Sequence, residues 1–455
     1  MKINLLCKCF HALSMVFFFS ISVSSCSDPN SGKDVPNIIV FMIDDLGYGD
    51  IGAYNDSIDY TPHIDSLAIE GMMWTDFHSN GPMCSPTRAA FLTGQYQYRF
   101  GKRFEHALSA RRKDSGLPDT VVTIADVLKR KGYKTGMFGK WHLGIEEPYL
   151  PNNYGFDIFQ GLLSGDGDHH THINRWGMED WWSNKKLDMN QEYSVDRITK
   201  GTVQFIKENN NDPFFLYVSH LAIHFPWQGP GDPTHRMRGG DYTDDKWGII
   251  PDKTNVRPHV EDMIKAVDES VGEIMASLKS QLLDKNTIVI FTSDNGGYRH
   301  YDYRFFNISN NGPLRGQKAE VLEGGHRVPF IIWWPDKIDP GEKTFELGMS
   351  MDLFPTLAAI VEAELPEYGT DGIDLSPVLF EKGKTMENRT VFWKMGDDWA
   401  VREGKWKLIN MEGKKSLYNL QEDIGESNDK IDTQPVKRDL LNKEYNQMVR
   451  NILLY

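Results

Sequence analysis

Cys84 lies in the stretch Pro82-Met83-Cys84-Ser85-Pro86-Thr87-Arg88-Ala89-Ala90-Phe91-Leu92-Thr93-Gly94. Proline two residues on suits a first helical turn, and Arg88 follows one turn later on the same face. Helix N-termini hold anions through free N–H groups and the macrodipole, so a nucleophile here would face an anionic ester. Taken alone, Cys84 reads as a buried cysteine at an ordinary helix start. Two further pairs, Asp44-Asp45 and Asp294-Asn295, each close an apolar run. All four offer only oxygen, a donor set that suits Ca²⁺ or Mg²⁺ better than zinc; Asp44 and Asp45 by themselves read as a solvated turn. Lys140 and His142 alternate off the end of another strand, so both can face one pocket. The chain carries a formal net charge of −14. A protein so acidic that handles anions must concentrate its cations locally, and the same charge argues against nucleic acid as partner.

These groups need a rigid frame. The runs Ile38–Ile43, Pro213–Ser219, Thr287–Phe291 and Phe330–Trp334 are continuously apolar, as parallel strands buried on both faces are. Ligands of open α/β sheets gather beyond the carboxyl ends of such strands, where the acids stand. Met72–Phe77 reads as one short strand, and Phe330–Trp334 as the last of the large sheet. Helices are expected from Thr61-Pro62, with the threonine as cap, over Val121–Lys131 behind Thr120, over Ser194–Asn209 and over Arg257–Leu282. At 455 residues and 40% hydrophobic the chain supports one large domain and a smaller one. The expected class is α/β: a large mixed, mostly parallel sheet sandwiched by helices over residues 36–365, then a small antiparallel-sheet subdomain over 366–455, where composition turns to Gly, Pro and Asp. Lys2 and Lys8, an apolar run from Ala12 to Val23 and small residues before Cys26 describe a secretory signal over residues 1–25, resembling a lipobox with Cys26 as the lipidated residue. Plain cleavage nearby is the alternative. Residues 26–35 read as a tether. Cys7 and Cys9 would be removed and Cys26 acylated, leaving Cys84 as the one thiol of the folded body.

The pattern Cys84-x-Pro86-x-Arg88 followed by Leu92-Thr93-Gly94 resembles the signature of the type I sulfatases, on the alkaline-phosphatase-like fold. So do Gly139-Lys140-Trp141-His142, His224 with Pro226, Leu314-Arg315-Gly316-Gln317-Lys318 and Glu323-Gly324-Gly325-His326-Arg327-Val328-Pro329. Phe138 departs from the small aliphatic usual before that Gly-Lys. The resemblance runs from about Pro36 to about residue 425. It implies that a maturation enzyme oxidises Cys84 to formylglycine. Hydrated, this side chain carries two hydroxyls on one carbon, one to attack sulfur and one to let the aldehyde re-form and expel sulfate. It also implies one Ca²⁺ held by Asp44, Asp45, residue 84, Asp294 and Asn295. Arg88 would fix the nucleophile, Asp294 help deprotonate it, Lys140 and Lys318 clamp the sulfonate oxygens, His224 protonate the leaving oxygen and His142 assist sulfate release. His220 is the weaker candidate beside His224.

The substrate expected is a sulfated glycan met outside the cytoplasm, in the periplasm or at the cell surface, with the membrane touched only through a lipid anchor. Asp168, His169 and His170 in the irregular stretch Gly165–His172, the nearby Trp176, Trp181 and Trp182, and Arg299-His300 are candidates for reading the sugar; an ordinary surface insertion is the alternative for that loop. Two rival functions share these residues. A phosphate or phosphonate monoester hydrolase of the same superfamily would usually show two zinc ions and His ligands, and a non-catalytic surface glycan binder would be expected to have lost Cys84, a metal ligand or a lysine.

Overall fold

The computed structural model describes residues 35–243, 255–302 and 304–453; the expected signal segment, Cys26 and most of the tether lie outside them. The central sheet has ten strands. Its heart is five parallel strands in the order Thr287–Ser293, Asn37–Ile43, Phe214–His220, Lys134–Gly139 and Ile158–Gly161. Antiparallel neighbours flank them, Phe330–Trp333 on one side and Trp182–Ser183 on the other. Side chains alternate along a strand, and the Asn37–Ile43 strand feeds both faces. Ile39, Phe41 and Ile43 pack with Ile198 and Val267 of the helices Ser194–Glu208 and Arg257–Ser280. Ile38, Val40 and Met42 pack with Phe91, Leu128 and Leu357 of the helices Cys84–Thr93, Ile124–Arg130 and Leu353–Ile360. A buried layer on each side explains why the strand is apolar at every position.

Four antiparallel strands, Thr390–Met395, Asp398–Glu403, Trp406–Met411 and Lys414–Asn419, form a second sheet, covered by the helix Pro435–Ile452. Its core includes Ala90, Tyr96, Tyr98, Val321 and Leu322, so the small sheet rests on the segments that carry Cys84 and Lys318.

Several boundaries differ from the sequence reading. The expected strand Met72–Phe77 is two, Met72–Trp74 in the large sheet and Phe77–His78 paired with Gly348–Met349, because the chain turns at Thr75-Asp76. The helix expected from Val121 begins at Ile124: Thr123 and Asp126 cap each other's backbone N–H groups, a capping box that fixes the start. Thr61 precedes its helix but gives no side-chain cap; Asp268, from a distant helix, accepts the His63 and Ile64 N–H groups instead. The large sheet also continues past Phe330–Trp333 to an edge strand, Glu342–Thr344.

Candidate active site

The parallel register brings the chemistry together. Ile43 stands opposite both Ser293 and His220, so the three strands end level and their next residues share one rim. Asp45 N–H donates to Asp294 Oδ1 at 3.3 Å. Ile223 N–H donates to Asp44 O at 2.7 Å, which seats the loop carrying His224. Lys140 N–H donates to Ser219 O at 2.8 Å. This close approach requires glycine at 139, since a Cβ there would lie 1.9 Å from that oxygen. Cys84 opens a helix in which every residue is buried, with Met83 extended before it and Gly94 left-handed after it, the usual helix stop.

Around Cys84 the side chains interlock. Its Sγ–H donates to Asp44 Oδ1, and Lys318 Nζ donates to Sγ, each at 3.3 Å. Lys140 Nζ pairs with Asp44, and Lys318 Nζ with Asp45. Asn295 Nδ2 donates to Asp45 Oδ1 at 2.8 Å. Arg88 places Nε and Nη2 on Asp294 Oδ2 at 2.9 and 2.6 Å. Its Nη1 reaches Lys140 O, Tyr217 Oη and Ser219 Oγ. Tyr217 and Ser219 alternate along one strand, a period-two signal that points both at one face, yet the sequence reading passed over them.

The electrostatics follow from crowding three carboxylates in a dry site. Burial, then Asp294, pushes the Asp44 carboxyl up to about 7 against the pull of Lys140 and Arg88. Burial and Asp44 push the Cys84 thiol up, so it is held neutral. Burial would raise Asp294 too, but Arg88, Lys140 and Lys318 together hold it below the usual carboxylate range. His142 and His224 are held well below 6.5 by burial and by Lys140. Both therefore stay neutral, and their tautomers follow from their partners. His142 gives its Nε2 proton to Leu108 O at 2.9 Å, leaving Nδ1 buried without a partner. His224 gives its Nδ1 proton to Phe225 O at 2.7 Å, leaving Nε2 bare, 3.9 Å from Asp45.

The residues fit a hard divalent cation. Asp44 and Asp45 bring carboxylate oxygens within 4.8 Å of each other, of Cys84 Sγ and of a His224 nitrogen. The oxygens are the donors that suit such an ion, and among the described residues Asn295 Oδ1 is a buried acceptor with no partner. Such an orphan costs about 1–3 kcal/mol unless something occupies it.

A cavity of about 250 Å³ opens onto Cys84 and reaches His142, His224 and Lys318. Its outer wall is Asp166, Arg175, Trp176, Tyr298 and Tyr301. Of the expected sugar readers Trp176 lines it, as does Asp166 of the expected loop, whereas Asp168, His169, His170, Trp181, Trp182, Arg299 and His300 do not. Asp168 accepts backbone N–H groups from His170, Thr171, His235 and Arg236, which makes it the knot of its loop. His169 is buried between Ser194 Oγ and His224 O, and His170 points to Gly229 O. Arg299 and His300 donate backbone N–H groups to Gln317. His220 lies elsewhere, against Ser270. Trp176 was among the expected residues and Asp166 lies within the expected stretch, while Arg175, Tyr298 and Tyr301 stand next to expected residues. The sequence thus located the loops and only part of the side chains that face inward. A larger cavity of about 980 Å³, bordered by Tyr48, Arg327, Arg389 and Arg402, holds none of the expected site residues.

Comparison with known proteins accords with this geometry. Residues 36–363 match the sulfatase family model. Arylsulfatase A of Bos taurus is 34% identical over 401 residues, covering 82% of this chain and 74% of the relative. N-acetylgalactosamine-6-sulfatase of Canis lupus familiaris is 32% identical over 396 residues, covering 82% and 71%. Among solved structures, Ps i-CgsB in complex with k-i-k-neocarrahexaose superposes with a TM-score of 0.79 at 29% identity, covering 91% of this chain and 92% of the other. PsFucS1 sulfatase from Pseudoalteromonas sp. gives 0.74 at 26%, covering 92% and 91%. With 328 consecutive positions inside the family model and the strand-end acids, lysines and imidazoles gathered on one cysteine, the chain belongs to the sulfatase family and is a sulfatase enzyme.

Proposed function

We propose that this sulfatase removes sulfate from a sulfated carbohydrate, using formylglycine made from Cys84 by a maturation enzyme and one Ca²⁺ held by Asp44, Asp45, residue 84, Asp294 and Asn295. The observation that carries the reading is the position of Cys84 Sγ, bonded to Asp44 and Lys318 at 3.3 Å each, at the floor of a cavity that both imidazoles enter. When bound, the two groups supply a geminal diol as nucleophile and exit and a Lewis acid for the sulfate oxygens.

The chain's own residues do the rest. Arg88, pinned at both ends of its guanidinium, fixes Asp294 beside residue 84 and leaves that carboxylate ionised to take a proton from the attacking hydroxyl. Lys140 and Lys318 neutralise charge that grows on the sulfonate oxygens; buried and preplaced, they need little reorganisation. The negative charge of a bound sulfate ester offsets the two lysines that otherwise disfavour the His224 imidazolium, so that Nε2 takes a proton from solvent and passes it to the leaving oxygen. His142 accepts a proton on the bare Nδ1 as sulfate is expelled. The carbohydrate reading draws support from Ps i-CgsB, solved with an oligosaccharide. Export behind the segment 1–25, with a lipid on Cys26, completes the proposal.

Replacing the nucleophile tests it. Cys84→Ala should abolish sulfate-ester turnover with melting temperature and circular dichroism little changed, and the Cys84 peptide of the active protein should show the mass loss of formylglycine. Near-normal turnover in the variant, or faster hydrolysis of the matched phosphate ester by the parent, overturns it.

A further inference from the structure

At and just behind the cavity wall, two guanidinium groups meet a single carboxylate. Asp166, the wall's one carboxylate above the floor, is shared by both: Arg236 Nη2 at 3.1 Å, and Arg175 through Nε and Nη2 at 3.1–3.2 Å. The Arg236 side chain is fully buried, whereas one third of the Arg175 side chain is exposed. A buried cation must be compensated where it stands; the trio carries one net positive charge, and Arg175 is the member that meets the cavity. No partner is recorded for Arg175 Nη1 among the described residues, which leaves part of its planar donor fork open.

Its place is fixed rather than floppy. Asn174 Oδ1 accepts the N–H groups of Trp176 and Met178, and Arg175 O accepts the Tyr242 N–H at 2.8 Å. Gly177, with φ 70°, packs so closely that a Cβ would lie 2.0 Å from Gly240 O. The indole of Trp176 has the Arg175 guanidinium carbon 5.8 Å from its ring centre and that of Arg111 at 6.0 Å. An indole that lines the cavity thus stands beside a preplaced guanidinium, in a protein whose net charge is −14.

We infer that Arg175 is a specificity determinant that favours glycan sulfate esters bearing a second oxyanion, a carboxylate or another sulfate, near the ester being cleaved. The inference rests on the carbohydrate reading above. A guanidinium meets a planar carboxylate or two oxygens of a sulfate with paired hydrogen bonds, stronger than neutral ones, and a neutral sugar at the same place leaves the fork unused.

The test measures kcat/KM for three esters: N-acetylgalactosamine 6-sulfate, N-acetylgalactosamine 4,6-disulfate, and the disaccharide of glucuronate with N-acetylgalactosamine 6-sulfate. The parent should prefer one of the two doubly charged substrates at least tenfold, and which one identifies the second group as sulfate or carboxylate. In Arg175→Gln that preference ratio should fall at least tenfold, and in Arg175→Lys it should fall less, with melting temperatures reported for both. Equal rates for all three esters in the parent, or an unchanged ratio in Arg175→Gln, overturn the role of Arg175 while leaving the carbohydrate reading intact. Hydrolysis of 4-nitrophenyl sulfate with neither these three esters nor any of a panel of other sulfated mono- and disaccharides cleaved overturns both.

Discussion

Asn295 shows how much a single unpaired atom can say. Its amide nitrogen is committed to Asp45 and to Gly296 O, while Oδ1 is buried with nothing to accept. Calcium titrated into chelator-treated protein should therefore raise the melting temperature, by an amount corresponding to about 2.7 kcal/mol at a hundredfold excess over Kd. Asn295→Leu should shrink that gain, and Mg²⁺, which sheds water reluctantly, should give a smaller one; the absence of any shift with Ca²⁺ would count against the ion. Lys318 makes a kinetic prediction. Its ammonium is buried between Asp45 and Cys84, aimed where charge grows rather than where substrate first docks. Lys318→Ala should lower kcat by about 10²–10³ and change KM much less. At this scale the floor of the site was legible, because Cys84, Arg88, Lys140, His142, His224 and Lys318 lie in motifs of fixed spacing. The wall was legible only at Trp176: whether Asp166 or Asp168 faces the cavity depends on the path of an irregular loop, which residue types alone do not encode.

Strands and helices explain both the successes and the slips in reading elements. Continuous apolar runs such as Asn37–Ile43 and Thr287–Ser293 declare buried parallel strands because both of their faces are covered. Thr123 starts a helix later than expected for a local reason, a capping side chain. The strand split at Thr75-Asp76 instead goes with distant partners, Thr344 for Thr75 and Arg327 and Arg402 for Asp76. Pairings such as Asp268 with the helix at Pro62 span about two hundred residues, and no local pattern announces them. The strand Phe214–His220 also carries a pH prediction. Burial holds His220 at about 3, and His172, behind the cavity, likewise at about 3. An unfolded histidine takes up a proton near 6.5, so between these values the unfolded chain binds more protons and the fold loses stability as pH falls. His220→Gln should flatten the dependence of unfolding free energy on pH between 4 and 6 by about 1.4 kcal/mol per pH unit. Urea titrations across that range would show it, and an unchanged slope would contradict the assignment.

Across the whole molecule, a buried charge network ties the small sheet to the large one. Lys407 Nζ, fully buried on the strand Trp406–Met411, lies 2.8 Å from carboxylate oxygens of both Glu323 and Glu426 and 3.0 Å from His326 Nε2. Arg402, on the neighbouring strand, pairs with Asp76. Lys407→Met should cost about 3–5 kcal/mol in denaturant unfolding, because it leaves Glu426 buried without its cation and Glu323 with Arg327 alone. Adding Glu426→Gln should return part of the loss; a neutral outcome for Lys407→Met alone would mean that the network carries little. The sequence named the small sheet and the stretch Glu323–Pro329 separately, but their contact depends on the tertiary path.

Glu426 holds both legs of the loop bearing Lys318: its backbone oxygen takes the Arg315 guanidinium and its carboxylate takes the Glu323 N–H at 2.9 Å. A chain pruned to residues 36–363 would keep every motif and every proposed ligand yet lose this rear latch, so the Lys318 ammonium would be held by Asp45 with no brace behind its loop. Transplants between relatives face the same constraint: the catalytic half and the tail that braces it have to travel as a matched set.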